Sequence, residues 1–156
     1  IKPDLVPLIE HGKLAGSLVS PRTAQEYGIA TNGAGSGEST ASLQMAAGDL
    51  AQDCVLAELG TGIYIGNLWY CNYADRSAGR LTGMTRFATF WVENGELAAP
   101  LSVMRFDDTL YRMLGSELAG LTSERELIVD TGTYDGRQTA SRLLPGALVG
   151  ELRLVL

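Results

Sequence analysis

The sequence has 156 residues, 46% of them hydrophobic and 19% charged, a composition typical of a soluble globular domain with one core. Its formal net charge of −6 provides no overall basic field for a phosphate backbone, which argues against direct nucleic-acid binding. No apolar run approaches the roughly 18 residues that a membrane-spanning helix requires, so no membrane association is predicted.

The first elements are marked by capping and loop signals. Ser20 is predicted to cap a short helix that starts at Pro21 and ends at Gly28. The segment 31–40, TNGAGSGEST, is rich in Gly, Ser and Thr and predicts an exposed loop. Its glycines do not fit a phosphate-binding motif, because Glu38 occupies the place of the third glycine in GxGxxG.

Two further elements are predicted before the centre of the chain. Residues 42–46 read as a short strand, and the apolar spacing over 51–59 predicts an amphipathic helix with Asp49 as its cap. Cys54 and Cys71 have no CxxC spacing and are predicted to be buried free thiols. Free thiols suit a reducing, cytoplasmic compartment.

The centre of the chain is rich in β-branched and aromatic residues. Residues 62–73, GIYIGNLWYCNY, predict one strand with both faces at least partly covered. Asn94-Gly95 stands between two apolar runs, which predicts a β-hairpin with a type I′ turn.

The last third of the chain predicts one helix and two strands. Asp107 or Asp108 is predicted to cap a helix through 110–115, and both 126–130 and 151–156 read as strands. Together the elements predict an α+β fold, a largely antiparallel sheet with two or three short helices, in a single compact domain over 1–156.

The most polar stretch, 72–86 (NYADRSAGRLTGMTR), lies between two aromatic runs and is predicted to be a long connection of about a dozen residues. Asp75 with Arg76, Arg80 and Arg86 could form a charged cluster suited to carboxylate recognition. The alternative is that these are solvated charges at the rim of a hairpin.

Catalytic motifs are not found. The chain has a single histidine, His11, which is too few for an autonomous histidine-based zinc site. It has no GxSxG or SxxK motif that would support a serine hydrolase. An independent hydrolase that uses Asp, Ser or Thr groups is therefore weakly supported.

The stretch 62–115 resembles the C-terminal domain of the TldD/PmbA family, the modulator-of-gyrase metallopeptidases. The resemblance rests on Gly62, Asn72, the LTG and TR of 81–86, and the VENGEL of 92–97. Looser similarity over EHGKL (10–14) and the helix-to-strand passage before Gly62 extends it to most of the chain. The chain is accordingly interpreted as a C-terminal domain, 1–156, of a longer protein.

This resemblance implies a cytoplasmic, zinc-dependent peptidase that acts on unfolded or short peptides, as a homo- or hetero-oligomer. The family's zinc motif, HExxxH, lies upstream of this domain, and active members add a cysteine from a late Gly-rich segment. The comparable segment here, 129–136, has no cysteine. No catalytic or metal residue is therefore assigned, and zinc is expected only in the full-length protein or a partner subunit.

The hypothesis for this domain is a scaffold with a binding edge. A sheet edge near 72–86 would take an extended peptide by strand addition, which gives sequence-tolerant affinity through backbone hydrogen bonds. In the competing interpretation, the same residues pack against an upstream domain or a second subunit, without any peptidase role. The predicted binding residues are Trp69, Tyr70, Asn72, Asp75, Arg76, Arg80, Arg86 and Trp91.

Overall fold

The computed structural model describes residues 2–132, 136–137 and 139–155, and β-strands dominate this part of the chain. The strands are β1 (Ile9–Glu10), β2 (Lys13–Leu14), β3 (Ser42–Gln44), β4 (Gly62–Ile65), β5 (Leu68–Asp75), β6 (Arg80–Thr85), β7 (Thr89–Glu93), β8 (Glu96–Pro100), β9 (Arg105–Thr109), β10 (Leu118–Val129), β11 (Ser141–Val149) and β12 (Leu154–Val155). The helical elements are α1 (Pro21–Tyr27), a 3₁₀ turn (Gln52–Cys54), α2 (Val55–Leu59) and a π-helical turn (Arg112–Ser116). The predicted α+β class is confirmed.

The chain forms two compact units. The first comprises Ile1–Leu43 and Val129–Arg142, and the second comprises Gln44–Ile128 and Leu143–Leu156.

In the first unit, β1 and β2 form a small hairpin and α1 begins as predicted. The Ser20 side chain accepts a hydrogen bond from the Thr23 backbone N–H at 3.2 Å, and Gly28 ends the helix in the left-handed conformation, φ 65°. Both signals are local in sequence, which is why they predict the helix correctly.

The segment 31–40 is a loop, as predicted, and its polar side chains hold the chain ahead of α1. Asn32 Oδ1 accepts a hydrogen bond from the Val19 N–H at 2.9 Å, and Asn32 Nδ2 donates one to the Ser17 carbonyl at 2.8 Å. Glu38 Oε1 accepts a hydrogen bond from the Ser20 N–H at 2.8 Å. The loop therefore satisfies backbone groups of residues 17–20, the segment that leads into the helix.

The second unit is organised around two antiparallel sheets. One has the strand order β12–β9–β6–β5, and the other has the order β4–β7–β8. Val92 on β7 and Phe106 on β9 are fully buried, so each sheet contributes an apolar side chain to the core. Within the second unit, β10 and most of β11 are neighbours in a further sheet.

The predicted Asn94-Gly95 hairpin is confirmed. β7 and β8 pair up to Glu93 and Glu96, and the two turn residues have φ angles of 52° and 81°. Positive φ at both positions is what a type I′ turn requires.

The prediction of one covered strand over 62–73 is wrong. The segment forms two strands in different sheets, because β4 pairs with β7 whereas β5 pairs with β6. The break lies at Gly66, whose N–H donates to the Ala88 carbonyl at 2.9 Å and where a Cβ would lie 2.9 Å from that oxygen. All eight residues of β5 are exposed.

The prediction that Asp107 or Asp108 caps a helix is also wrong. Both aspartates lie in β9, opposite Thr82 and Leu81 of β6. The helical segment begins after them, and the Thr109 hydroxyl accepts the hydrogen bond from the Arg112 N–H at 3.2 Å. Long-range strand pairing thus overrides a local capping signal.

Asp49 does not cap the segment 51–59. The 3₁₀ turn that precedes α2 starts after Ala51 without a side-chain cap, and the Gln52 N–H donates to Glu124 Oε2 at 3.0 Å instead.

Cys54 and Cys71 are both exposed, contrary to the prediction of buried thiols. Cys54 lies at the end of this short turn, and Cys71 lies on the exposed strand β5.

Of the two late strand predictions, 126–130 is confirmed over 126–129, the end of the longer strand β10. In the second, 151–156, only Leu154–Val155 is strand, and residue 156 lies outside the described residues. Within the described residues, no helix is long and apolar enough to cross a membrane.

Candidate functional site

The candidate site is the open edge of strand β5. Within the described residues, β5 is the last strand of its sheet and pairs on one side only, with β6. The Arg86 N–H donates to the Asn67 carbonyl, and the Thr85 N–H donates to the Met104 carbonyl on the opposite side of β6. Since hydrogen-bonding direction alternates along an antiparallel pair, the backbone N–H and C=O of Leu68 point away from β6, to the open edge.

A β-bulge interrupts this edge strand. The register shifts between Trp69 and Asn72, and Tyr70 has a φ of 54°, a left-handed conformation that is uncommon for an aromatic residue. Asn72 Nδ2 donates to the Tyr70 carbonyl at 3.0 Å and holds the bulge. Such strain is characteristic of binding sites, and bulges also protect edges from unwanted pairing.

Gly83, which faces the bulge from β6, makes room for it. A Cβ at Gly83 would lie 2.7 Å from the Phe106 ring and 3.0 Å from the Cys71 sulfur. Only glycine therefore lets the buried ring and the Cys71 side chain approach the same point of β6.

Large apolar side chains are exposed along this edge. Their exposed fractions are 44% for Leu68, 50% for Trp69, 71% for Tyr70, 53% for Tyr73 and 65% for Phe87. Large exposed apolar side chains grouped on one edge strand are typical of protein or peptide interaction sites.

Arg86 lies against this aromatic surface. Its guanidinium carbon is 4.1 Å from the centre of the Trp69 ring and 5.3 Å from the centre of the Phe87 ring. Both distances fall within the range of cation–π attraction, which holds the guanidinium over the rings.

Arg80 has a different environment at the other end of β6. Its Nε and Nη2 atoms donate hydrogen bonds to the two carboxylate oxygens of Asp107 at 2.6 and 2.9 Å. The hydrogen bond with Asp107 raises the pKa of Arg80, and the same bond lowers the pKa of Asp107. Arg80, predicted as a binding residue, thus already has an internal carboxylate partner. Both side chains line a groove of about 590 Å³.

Asp108, next to Asp107 on β9, is a buried carboxylate with a structural role, whereas the sequence predicts it only as a possible helix cap. It accepts hydrogen bonds from the backbone N–H groups of Thr109 and Arg153, at 2.8 and 3.1 Å, and from Arg112 Nε at 3.1 Å. Burial alone would raise the pKa of Asp108, but these hydrogen bonds outweigh it and lower the pKa. Arg112 also pairs with Glu117 and Glu151.

The predicted connection of a dozen residues is wrong, because β5 and β6 extend through most of 72–86. The turn between them covers only 76–79. Asp75 Oδ1 accepts hydrogen bonds from the N–H groups of Ser77 and Ala78, at 2.9 and 3.1 Å, so Asp75 shapes this turn. Arg76 lines a groove of about 340 Å³ with Tyr73, Gly79, Leu110 and Tyr111.

The predicted binding residues are therefore only partly brought together. Trp69, Tyr70 and Asn72 lie on β5 with Arg86 beside them, whereas Arg76 lies at the tip of the hairpin. Trp91 lies on β7 in the other sheet, opposite Ile63 and Ala99. Sequence reasoning did not select Leu68, Tyr73 and Phe87, although aromatic content over 68–73 already pointed to this strand.

A zinc site does not fit the described residues. Among them, no three His, Cys, Asp or Glu side chains are grouped closely enough to hold a metal. A hydrogen bond with Asp53 raises the pKa of Cys54 and desolvation raises the pKa of Cys71, which disfavours the thiolate that binds metal. In the Gly-rich segment 129–136, Thr133, Tyr134 and Asp135 lie outside the described residues.

Comparison with known proteins agrees with the architecture. The family model described as the PmbA/TldA metallopeptidase C-terminal domain matches residues 3–154. TldE from Thermococcus kodakarensis is 18% identical, with a TM-score of 0.73 over 94% of this chain and 32% of that chain. A protein from Thermotoga maritima, described as a candidate modulator of a DNA gyrase, is 19% identical, with a TM-score of 0.70 over 95% and 32%.

The chain therefore spans about a third of the length of these two relatives. No curated protein matches it. At these identities, the two solved structures establish the fold alone.

Proposed function

Because this chain belongs to the PmbA/TldA metallopeptidase C-terminal domain family, we propose that it serves a peptide-processing protein as a binding scaffold. In this proposal the domain holds an extended peptide and supplies no catalytic or metal-binding group. Any zinc belongs to another part of the protein or to a partner subunit.

The open edge of β5 is the observation that carries the proposal. An edge strand with outward backbone groups binds an extended peptide by strand addition, whatever the peptide's sequence, because main-chain hydrogen bonds provide the affinity. The exposed side chains of Leu68, Trp69 and Tyr73 add apolar contacts along the same strand. The bulge at Tyr70 limits the pairing to short segments on either side.

Binding of a backbone-modified peptide tests this mode. The probe is a fluorescein-labelled, eight-residue Thr- and Val-rich peptide, as long as β5. We expect it to bind the protein, and a version N-methylated at alternate residues not to bind, because methylation removes the donors of one edge. Equal binding of the two peptides, or binding of neither, would contradict the proposal.

A matched pair of variants locates the interaction on the protein. Leu68→Pro removes the outward N–H without removing a ladder hydrogen bond to β6, whereas Leu68→Ala keeps the N–H. We expect Leu68→Pro to weaken binding more than Leu68→Ala. Near-UV circular dichroism and thermal unfolding check that both variants stay folded.

A second candidate function is assembly without any peptidase role. The same exposed aromatic and arginine side chains suit an interface with an upstream domain or a second subunit, and the two solved relatives are about three times as long as this chain. Size-exclusion chromatography with light scattering distinguishes the two functions. It measures the oligomeric state of the full-length protein and of its Trp69→Ala variant. Loss of the oligomer in the variant, with unchanged peptide binding, would favour assembly.

The remaining parts of the proposal concern the cellular setting. We place the protein in the cytoplasm, as a homo- or hetero-oligomer, with unfolded or short peptides as its substrates. Metal analysis of the full-length protein tests the zinc assignment, since zinc in the full-length protein but not in this domain is the expected result.

A further inference from the structure

Arg86 differs from the ion-paired arginines of the same unit. Arg80 donates to Asp107, and Arg112 donates to three carboxylates. Among the described residues, Arg86 has no carboxylate within ion-pair distance and is held by the rings of Trp69 and Phe87 instead. Its charge is therefore fixed in place but not neutralised by any of these residues.

We propose that Arg86, held over Trp69 and Phe87, is a subsite for an acidic side chain of the peptide bound at the β5 edge. The inference rests on the proposed function and adds a substrate class to it, an extended peptide with a carboxylate near Leu68. Arg86 acts here as a specificity-determining residue and not as a catalytic one.

The position of Arg86 places its charge at the edge. The residue follows β6, yet its guanidinium lies over the ring of Trp69, which belongs to β5. Since Arg86 pairs with Asn67 and the next residue, Leu68, has outward backbone groups, a peptide strand paired there would pass beside this guanidinium.

The contact with Trp69 leaves the guanidinium suited to a carboxylate. Its central carbon lies over the ring, 4.1 Å from the ring centre, and the N–H donors of a guanidinium lie in its plane, where they suit a bidentate contact with a carboxylate. The rings also fix the side chain before binding, so less rotamer entropy is lost when the carboxylate arrives.

The net charge of the chain makes the inference easy to test. At −6, the overall field of this sequence disfavours an acidic peptide. A preference for Glu over Gln therefore requires a local cation. The net negative charge of the chain, acting alone, would favour Gln over Glu.

The experiment is a Glu scan along the eight-residue peptide used above, with Gln at the same positions as the matched series. We expect one register in which Glu binds about two- to fivefold tighter than Gln, as for a partly exposed charged pair. Arg86→Gln should abolish this ratio, Arg86→Lys should retain part of it, and Arg22→Gln on the exposed helix α1 of the first unit should leave it unchanged. Raising NaCl from about 0.05 to about 0.5 M should reduce the ratio.

The outcomes separate this inference from the proposed function. If peptides bind the β5 edge with equal affinity for Glu and Gln, or if Arg86→Gln keeps the Glu preference, only the acidic subsite is overturned. If neither peptide series binds, both the subsite and the edge-binding function are overturned.

Discussion

The two ends of strand β6 carry the same residue type in opposite environments. Arg80, at its start, is clamped by Asp107 of β9. Arg86, just after its end, has its guanidinium over the ring of Trp69 on β5. On the β9 side of this sheet, Phe106 and Asp108 are almost fully covered and Asp108 is internally paired, whereas every residue of β5 on the other side is exposed. The comparison indicates that one side of the sheet maintains the fold and the other is available for binding.

Truncating one aromatic side chain on β9 and one on β5 should give the largest difference in the free energy of unfolding. Phe106→Ala should lower the free energy of unfolding by about 3–5 kcal/mol, because it leaves a cavity in the core. Trp69→Ala should change it by less than about 1 kcal/mol, because half of that side chain is already exposed. Urea denaturation measures both, and similar losses in the two variants would contradict the assignment of sides.

The buried carboxylate should show the next largest effect. Asp108→Ala should lower the free energy of unfolding by about 2–4 kcal/mol, because it leaves the Thr109 and Arg153 N–H groups without their acceptor. Asp108→Asn is the matched control, since it keeps the size and one acceptor oxygen but removes the charge. A loss in Asp108→Ala no larger than that in an exposed aspartate such as Asp4→Ala would count against this role.

The effect of pH on the same site should be smaller. The pKa of Asp108 is lowered in the folded protein, so its ionised form contributes stability above the unfolded-state pKa of about 4. That contribution is lost as the pH falls from about 4 through the folded-state pKa. Wild type should therefore lose more stability than Asp108→Asn over this range, as measured by urea midpoints at each pH. Parallel pH profiles of the two proteins would show that the charge is not the source of the stability.

Local signals in the sequence predict only part of this architecture. The Ser20 cap, the Gly28 stop and the Asn94-Gly95 turn are each fixed by one or two residues, and all three are confirmed. The split at Gly66 and the strand positions of Asp107 and Asp108 depend on partners distant in sequence, so local patterns predict them wrongly.

The candidate site follows the same rule. Aromatic content and arginines over 69–86 indicate a surface with a binding role, but spacing alone cannot tell which arginine has an internal partner. Arg80 and Arg86 look equivalent in sequence, and only the register of β6 with β9 places Asp107 beside one of them. The exposure of β5 is equally a property of the sheet order, which no local pattern contains.

Amide hydrogen exchange at Leu68 tests the central claim most directly, because this N–H points to the open edge of β5. In the free protein it should exchange rapidly, whereas the Thr85 amide, which donates to the Met104 carbonyl, should be protected. Saturating the protein with the extended peptide should slow exchange at Leu68 by about tenfold or more and leave Thr85 unchanged. Unchanged exchange at Leu68 while the peptide is bound would contradict binding by strand addition at this edge.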